Sequence, residues 1–188
     1  MSVREVRLKA EYEEICTFRS DVVTVKPIGR SNPPDHYHLL YDLKTIVGFD
    51  QQGNPQIQQR TWKVEVIFPT NYPWGKPEVH FIGQRVIHPN VWVNGDICIE
   101  DHWRAGIGIP FDSLTEHIGQ IIAYQKYNLN SPANGDQQLR LWILRYGDQH
   151  FPTDSRDIRR ARIVLGQQPA QTAQPAPTTR SNKINWGS

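Results

Sequence analysis

The chain has 188 residues, 38% of them hydrophobic and 21% charged, a balance that suits one folded domain with a tail or at most two small domains. Its formal net charge of +2 is too small to single out nucleic acid or a charged membrane as a partner. No apolar run approaches the roughly 18 residues of a membrane span, and the N-terminal Met-Ser-Val-Arg-Glu-Val-Arg lacks the apolar core of a signal peptide.

Ser2 and Glu5 have the spacing of a capping box, and Leu8, Tyr12 and Ile15 follow on one helical face. Cys16 borders that face and reads as a helix-packing residue. Val23 and Val25 then alternate in a short strand. Tyr37, Leu39, Tyr41, Leu43 and Val47 share one face of a longer one. A turn is expected at Asp50–Pro55. Trp62, Val64, Val66 and Phe68 mark a third strand, and Val79 and Phe81 a fourth. Short connections predict an antiparallel meander.

Beyond residue 100 the period becomes helical. Ser113 and Glu116 suggest a second capping box, ahead of a helix carrying Leu114, Ile118, Ile121 and Ile122 and ending near Asn128. Leu139, Trp142, Ile143 and Tyr146 predict another helix. Ile158, Ala161 and Leu165 predict a last one, capped by Thr153 or Asp154. The fold class is therefore α+β: an N-terminal helix, a four-stranded antiparallel β-meander and C-terminal helices. A folded unit over residues 1–165 is expected, followed by a flexible Gln/Pro/Ala-rich tail over 166–188 that contains Trp186.

The chemistry concentrates in residues 68–100. Asn94-Gly95 is a strong two-residue turn signal. A two-residue turn there sets Val93 opposite Asp96 and Val91 opposite Cys98, with Asn90 one step beyond. Alternation points Ile97 and Ile99 inward and leaves Cys98 on an accessible polar face with Asp96 and Glu100. A thiol is a strong nucleophile, and its thioester reacts with amines. A nearby amide donor such as Asn90 can stabilise the tetrahedral oxyanion. The acidic neighbours Asp96 and Glu100 count against a His-activated thiolate of the papain kind. They suit an incoming lysine ammonium instead, with Glu100 the first candidate and Asp101 and Asp136 behind it. His102 and His117 read as surface or capping residues, and Trp74 and Trp103 as packing residues. The two cysteines, Cys16 and Cys98, do not form a disulfide framework, so reduced thiols and a cytoplasmic location are expected. No cofactor and no metal is expected: a zinc site from His88, Cys98 and His102 fits no compact spacing and has no evident fourth ligand.

Phe68-Pro69-Thr70-Asn71-Tyr72-Pro73-Trp74 resembles the stretch after the third strand of ubiquitin-conjugating enzymes. His88-Pro89-Asn90 matches their His-Pro-Asn motif. Cys98 follows His88 by ten positions, as the active cysteine of that family does, with Asn94-Gly95 between and Glu100 two beyond. The resemblance covers roughly residues 1–165. It implies that Cys98 accepts a ubiquitin-like modifier from an activating enzyme, that Asn90 stabilises the oxyanion or the loop, and that His88 orients the loop. It also implies that Arg4, Arg7 and Lys9 of the first helix face the activating enzyme. Two departures bear on ligase docking and lysine gating: Arg-Ala-Gly-Ile-Gly-Ile-Pro follows Trp103, and Ser131-Pro132-Ala133-Asn134 replaces the usual Pro-Asn-Pro. Such departures resemble divergent members of bacterial ubiquitin-like conjugation systems, some associated with antiviral defence. A catalytically silent module of the same fold, binding a ubiquitin-like protein or a scaffold, is the competing reading. Silent relatives generally lack the cysteine.

Overall fold

The computed structural model describes residues 2–100, 102–134 and 136–160. Helix α1 spans Val3–Thr17 and begins with the predicted capping box. The Ser2 hydroxyl accepts from the Glu5 N–H (3.2 Å), and the Glu5 carboxylate accepts from the Ser2 N–H (2.6 Å). These bonds hold the Glu5 carboxyl below its ordinary range. The buried stripe of α1 is Leu8, Glu11 and Ile15. Glu11 takes the inward place expected of Tyr12, which is exposed, and Cys16 is exposed rather than packed.

Strands β1 (Val23–Pro27), β2 (His36–Phe49), β3 (Pro55–Ile67) and β4 (Glu78–Phe81) form one antiparallel sheet in chain order. The register pairs Leu39 with Val64, Tyr41 with Trp62, and Val66 with Val79. Tyr37, Leu39, Tyr41, Leu43, Val64 and Val66 are wholly buried on the inner face, as the alternation predicts. A register shift between Ile46 and Gly48 ends that alternation, so Ile46 is buried and Val47 only half-buried. Polar atoms on large buried side chains find partners: the Trp62 Nε1 donates to the Leu43 carbonyl (2.9 Å) and the Tyr41 hydroxyl to the Thr115 carbonyl (2.8 Å).

Helix α2 (Phe111–Ile122) packs on β2 and α1 and buries Phe111, Leu114, Ile118, Ile121 and Ile122. The expected Ser113/Glu116 capping box does not form, because the helix already begins at Phe111 behind Pro110. The acceptor comes from another helix: the buried Glu11 carboxylate takes the Phe111 N–H at 2.6 Å. A carboxylate there both satisfies an orphan donor and complements the helix dipole. Helix α2 ends at Ile122, short of Asn128, where Tyr124 adopts a left-handed backbone (φ 53°).

Helix α3 (Gln137–His150) is capped by Asp136, whose carboxylate accepts from the N–H groups of Gln138 and Leu139. Its Leu139 and Ile143 form a second cluster with Ile46 and Tyr124. The predicted last helix is absent from the described residues up to 160. Thr153 and Asp154 cap nothing; they bind β2, with the Thr153 hydroxyl on the Lys44 carbonyl (2.8 Å) and the Asp154 carboxylate on the Lys44 N–H (3.0 Å). Burial works against the charge on Asp154, but Arg156 and the backbone N–H groups bring its carboxyl down to about 2. Ile158 is buried in the main core, while Ala161, Leu165, the boundary at 165 and Trp186 lie outside the described residues. No described helix is long and apolar enough to cross a membrane.

Candidate active site

The loop at Asn94-Gly95 has three residues, not two. Gly95 donates to the Trp92 carbonyl (2.9 Å), and Trp92 donates to the Asp96 carbonyl (2.9 Å). Gly95 alone in this loop has positive φ, at 96°. A type I turn closed by a left-handed glycine fits this pattern, and it adds one residue to the loop. The register shifts accordingly: Val91 pairs with Ile97, and Cys98 faces Asn90 directly. The Cys98 N–H donates to the Asn90 carbonyl at 2.8 Å. The hairpin rests on the edge of β4, through Phe81 to the Gly95 carbonyl (3.0 Å) and Ile97 to the Val79 carbonyl (2.8 Å).

Ile97 and Ile99 point inward and Asp96 and Glu100 outward, as alternation requires, but Cys98 is not the open residue expected of that face. It is 7% exposed. It belongs to neither cluster of packed apolar side chains among the described residues. Cys98 thus sits at the border of the core, two residues from the exposed Asp96 on one side and the exposed Glu100 on the other.

Asn90 is buried, and its Oδ1 accepts from the Asn128 N–H at 2.8 Å. That bond ties the hairpin to the loop after α2 and fixes the carboxamide. A cavity of about 350 Å³ opens beside it, walled by Asn90, His117, Lys126, Tyr127 and Asn128. His102, exposed, and His117, buried on α2, also line it with ring centroids 3.7 Å apart; His117 is not the surface residue expected.

His88 is buried against Tyr124 (centroids 4.4 Å apart), and its Nδ1 accepts the Asn90 N–H at 3.0 Å. Burial drives its pKa down to about 3, so the ring is neutral at neutral pH and suits a loop-holding part better than proton transfer. The native state refuses a proton that the unfolded chain binds near pH 6.5. This group's stabilising contribution is therefore complete above about pH 6.5 and is lost as the pH falls towards 3, by roughly 1.4 kcal/mol per pH unit between the two. Urea unfolding at pH 7 and pH 5 is expected to show a stability loss about 2 kcal/mol larger in the native chain than in His88→Asn, whose Oδ1 can still accept from Asn90. Equal losses in the two proteins would contradict a buried neutral ring.

The model of the ubiquitin-conjugating enzyme family matches residues 7–140, more than half of the sequence. The chain belongs to the ubiquitin-conjugating enzyme family. Among curated relatives, the probable ubiquitin-conjugating enzyme E2 W of Dictyostelium discoideum is 32% identical over 69 residues, covering 35% of this chain and 46% of that protein. Ubiquitin-conjugating enzyme 15 of Arabidopsis thaliana is 32% identical over 84 residues, covering 42% and 52%. The chain thus spans about half the length of these relatives. Ubiquitin-conjugating enzyme E2 S of Xenopus tropicalis is 23% identical over 188 residues, covering 86% and 81%. Among solved structures, human ubiquitin-conjugating enzyme E2 G1 is 20% identical at a TM-score of 0.46, covering 64% of this chain and 95% of that one.

The other residues singled out in this ubiquitin-conjugating family member have varied surroundings. Glu100 is exposed and paired with Lys76 (2.8 Å), while Asp136 is spent on capping α3, and Asp101 lies outside the described residues. Arg4 is held by Asp35 (2.8 Å) and by the carbonyls of Phe68 and Pro69; Arg7 pairs with Glu11 (2.8 Å). Of the three basic residues expected to meet an activating enzyme, Lys9 is the most solvated, 3.9 Å from Glu13. Trp103 packs half-buried against the core, but Trp74 is exposed and lies over Gly106, where a Cβ would come within 2.4 Å of its ring. Asn128 and Tyr124, which hold Asn90 and His88, were not singled out by the sequence. A backbone donor and a left-handed tyrosine leave no pattern to read.

Proposed function

We propose that this chain carries a ubiquitin-like protein as a thioester on Cys98 and transfers it to a lysine amine of a target. The Cys98 thiol attacks the modifier's thioester on an activating enzyme, whose own thiol leaves. The lysine amine then attacks the Cys98 thioester; the tetrahedral oxyanion collapses, an amide forms and the Cys98 thiol is released with the amine's proton lost to base. Asn90 gives an N–H to the oxyanion, His88 keeps the hairpin in shape, and Glu100 attracts the incoming ammonium once it leaves Lys76. The work requires reduced thiols, and the cytoplasm is the compartment that suits it.

One observation supports this reading: the main-chain bond from Cys98 to Asn90, which pairs the two residues across the hairpin, with the Asn90 carboxamide held by Asn128. Family membership supports it. The low exposure of Cys98 adds a requirement, a small local opening that presents the sulfur. The chain mixed with modifier, activating enzyme and ATP is expected to give a higher-mass band on a non-reducing gel that thiol reductant removes. Cys98→Ala is expected to lose the band, and Cys98→Ser to keep one that reductant does not cleave. A chain that never charges in the presence of a competent activating enzyme would favour the silent, binding-only module.

A further inference from the structure

The outer face of the sheet gathers three histidines around one carboxylate. His36 and His38 alternate on β2, so both side chains leave the sheet on the face opposite Tyr37 and Leu39. The register pairs His38 with Glu65 on β3, and Glu65 with His80 on β4. His36 Nε2 lies 2.7 Å and His38 Nε2 3.3 Å from Glu65 Oε1, while His80 Nε2 lies 2.9 Å from Glu65 Oε2. Donor atoms of His36, His38 and Glu65 all fall within 4.8 Å of one another.

We infer that this cluster binds a divalent transition metal, with zinc the best fit, through His36 Nε2, His38 Nε2 and Glu65 Oε1. Imidazole nitrogen and carboxylate oxygen are the donor types zinc takes, and two neutral rings with one carboxylate leave the ion incompletely neutralised, as in sites that keep a water in the fourth position. Tetrahedral zinc with bonds of about 2.0–2.1 Å separates its ligand atoms by roughly 3.3 Å. The two nitrogen-to-oxygen spacings, 2.7 and 3.3 Å, lie close to that value, and the donor atoms of all three residues lie within 4.8 Å of one another. His80 holds the second carboxylate oxygen and so orients Glu65 towards the other two rings. All four side chains are between 19% and 32% exposed, so an ion reaches them from solvent without unfolding. The site does not depend on Cys98.

The test uses the full chain without a polyhistidine tag and with Cys16→Ser and Cys98→Ser, which removes thiol ligands. Calorimetric titration with Zn²⁺ is expected to saturate at one ion per chain, and Co²⁺ to give the visible absorption of a tetrahedral complex. His38→Gln and Glu65→Gln are each expected to abolish saturable binding, and His80→Gln to weaken it by about 10-fold to 100-fold. Zinc is also expected to raise the melting temperature of the parent chain and leave that of His38→Gln unchanged. No saturable binding by the folded parent chain would overturn the inference. So would binding, or a zinc-induced rise in melting temperature, that survives both His38→Gln and Glu65→Gln.

Discussion

Asn90→Ala is expected to charge with modifier but to discharge to free lysine about 100-fold more slowly than the native chain, the lower end of the cost of losing one oxyanion donor. The side chain has two ends with separate tasks. Its Oδ1 is committed to the Asn128 N–H at 2.8 Å, so the proposed oxyanion contact falls to the Nδ2 end. Alanine removes both ends, and an unpartnered Asn128 N–H costs stability of about 1–3 kcal/mol by itself. Asn90→Asp separates the two tasks, because it keeps an acceptor for Asn128 and has no N–H to give. Single-turnover discharge, followed on non-reducing gels, is expected to be as slow in Asn90→Asp as in Asn90→Ala. A rate restored by aspartate would reduce Asn90 to a support for the loop.

Glu11→Ala is expected to lower stability by about 3 kcal/mol, and with it the melting temperature by roughly 6–12 °C for a domain of this size. This carboxylate is 1% exposed, inside α1, and joins three parts of the fold. It accepts the Tyr72 hydroxyl at 2.7 Å and the first N–H of α2, from Phe111, at 2.6 Å, and it pairs with Arg7 at 2.8 Å. Burial, with Glu11 adding to it, pushes the Tyr72 hydroxyl up, so it remains a donor at any working pH. Truncation leaves the tyrosine and the helix start without a buried acceptor, while the half-exposed Arg7 turns to water. Glu11→Gln keeps one acceptor oxygen and is expected to lose less than half as much. Thermal melts by circular dichroism measure both, and an alanine variant as stable as the native chain would show the carboxylate is dispensable.

Glu11 also marks where sequence reasoning stops. The helix was legible from its capping box and from Leu8 and Ile15, but a glutamate between lysine, alanine and tyrosine carries the pattern of a solvated residue. Tyr72 and Phe111, brought to it by the fold, join Arg7 of the same helix in making burial tolerable. The same carboxylate explains why the predicted Ser113 cap is absent: α2 takes its acceptor from α1. The strands were more legible, because period-two alternation in Tyr37–Leu43 and Trp62–Phe68 states which face is inside.

At the site, the motif residues were found but not their register. Asn94-Gly95 supports a two-residue turn or a three-residue loop, and the choice rests on whether Asn94 enters the left-handed region, which it does not. The extra residue moves Cys98 directly opposite Asn90. Alternation predicted an accessible Cys98, but residues 97–99 are all buried, and a period-two pattern says nothing about what packs around a residue. The cluster around Glu65 was invisible for a related reason: its histidines lie 42 to 44 residues apart across β2 and β4 and meet only when two strand registers are known.

The central claim is that Cys98, and not Cys16, holds the transferred acyl group. Exposure alone favours Cys16, which is open on α1, whereas Cys98 is 7% exposed. Charging the native chain, blocking free thiols with an alkylating reagent, digesting under acidic conditions and mapping peptides by mass spectrometry assigns the modifier to one of them. The account predicts the modifier's C-terminal remnant on the peptide containing Cys98, with Cys16 alkylated. The remnant on Cys16, with Cys98 alkylated or untouched, would contradict it.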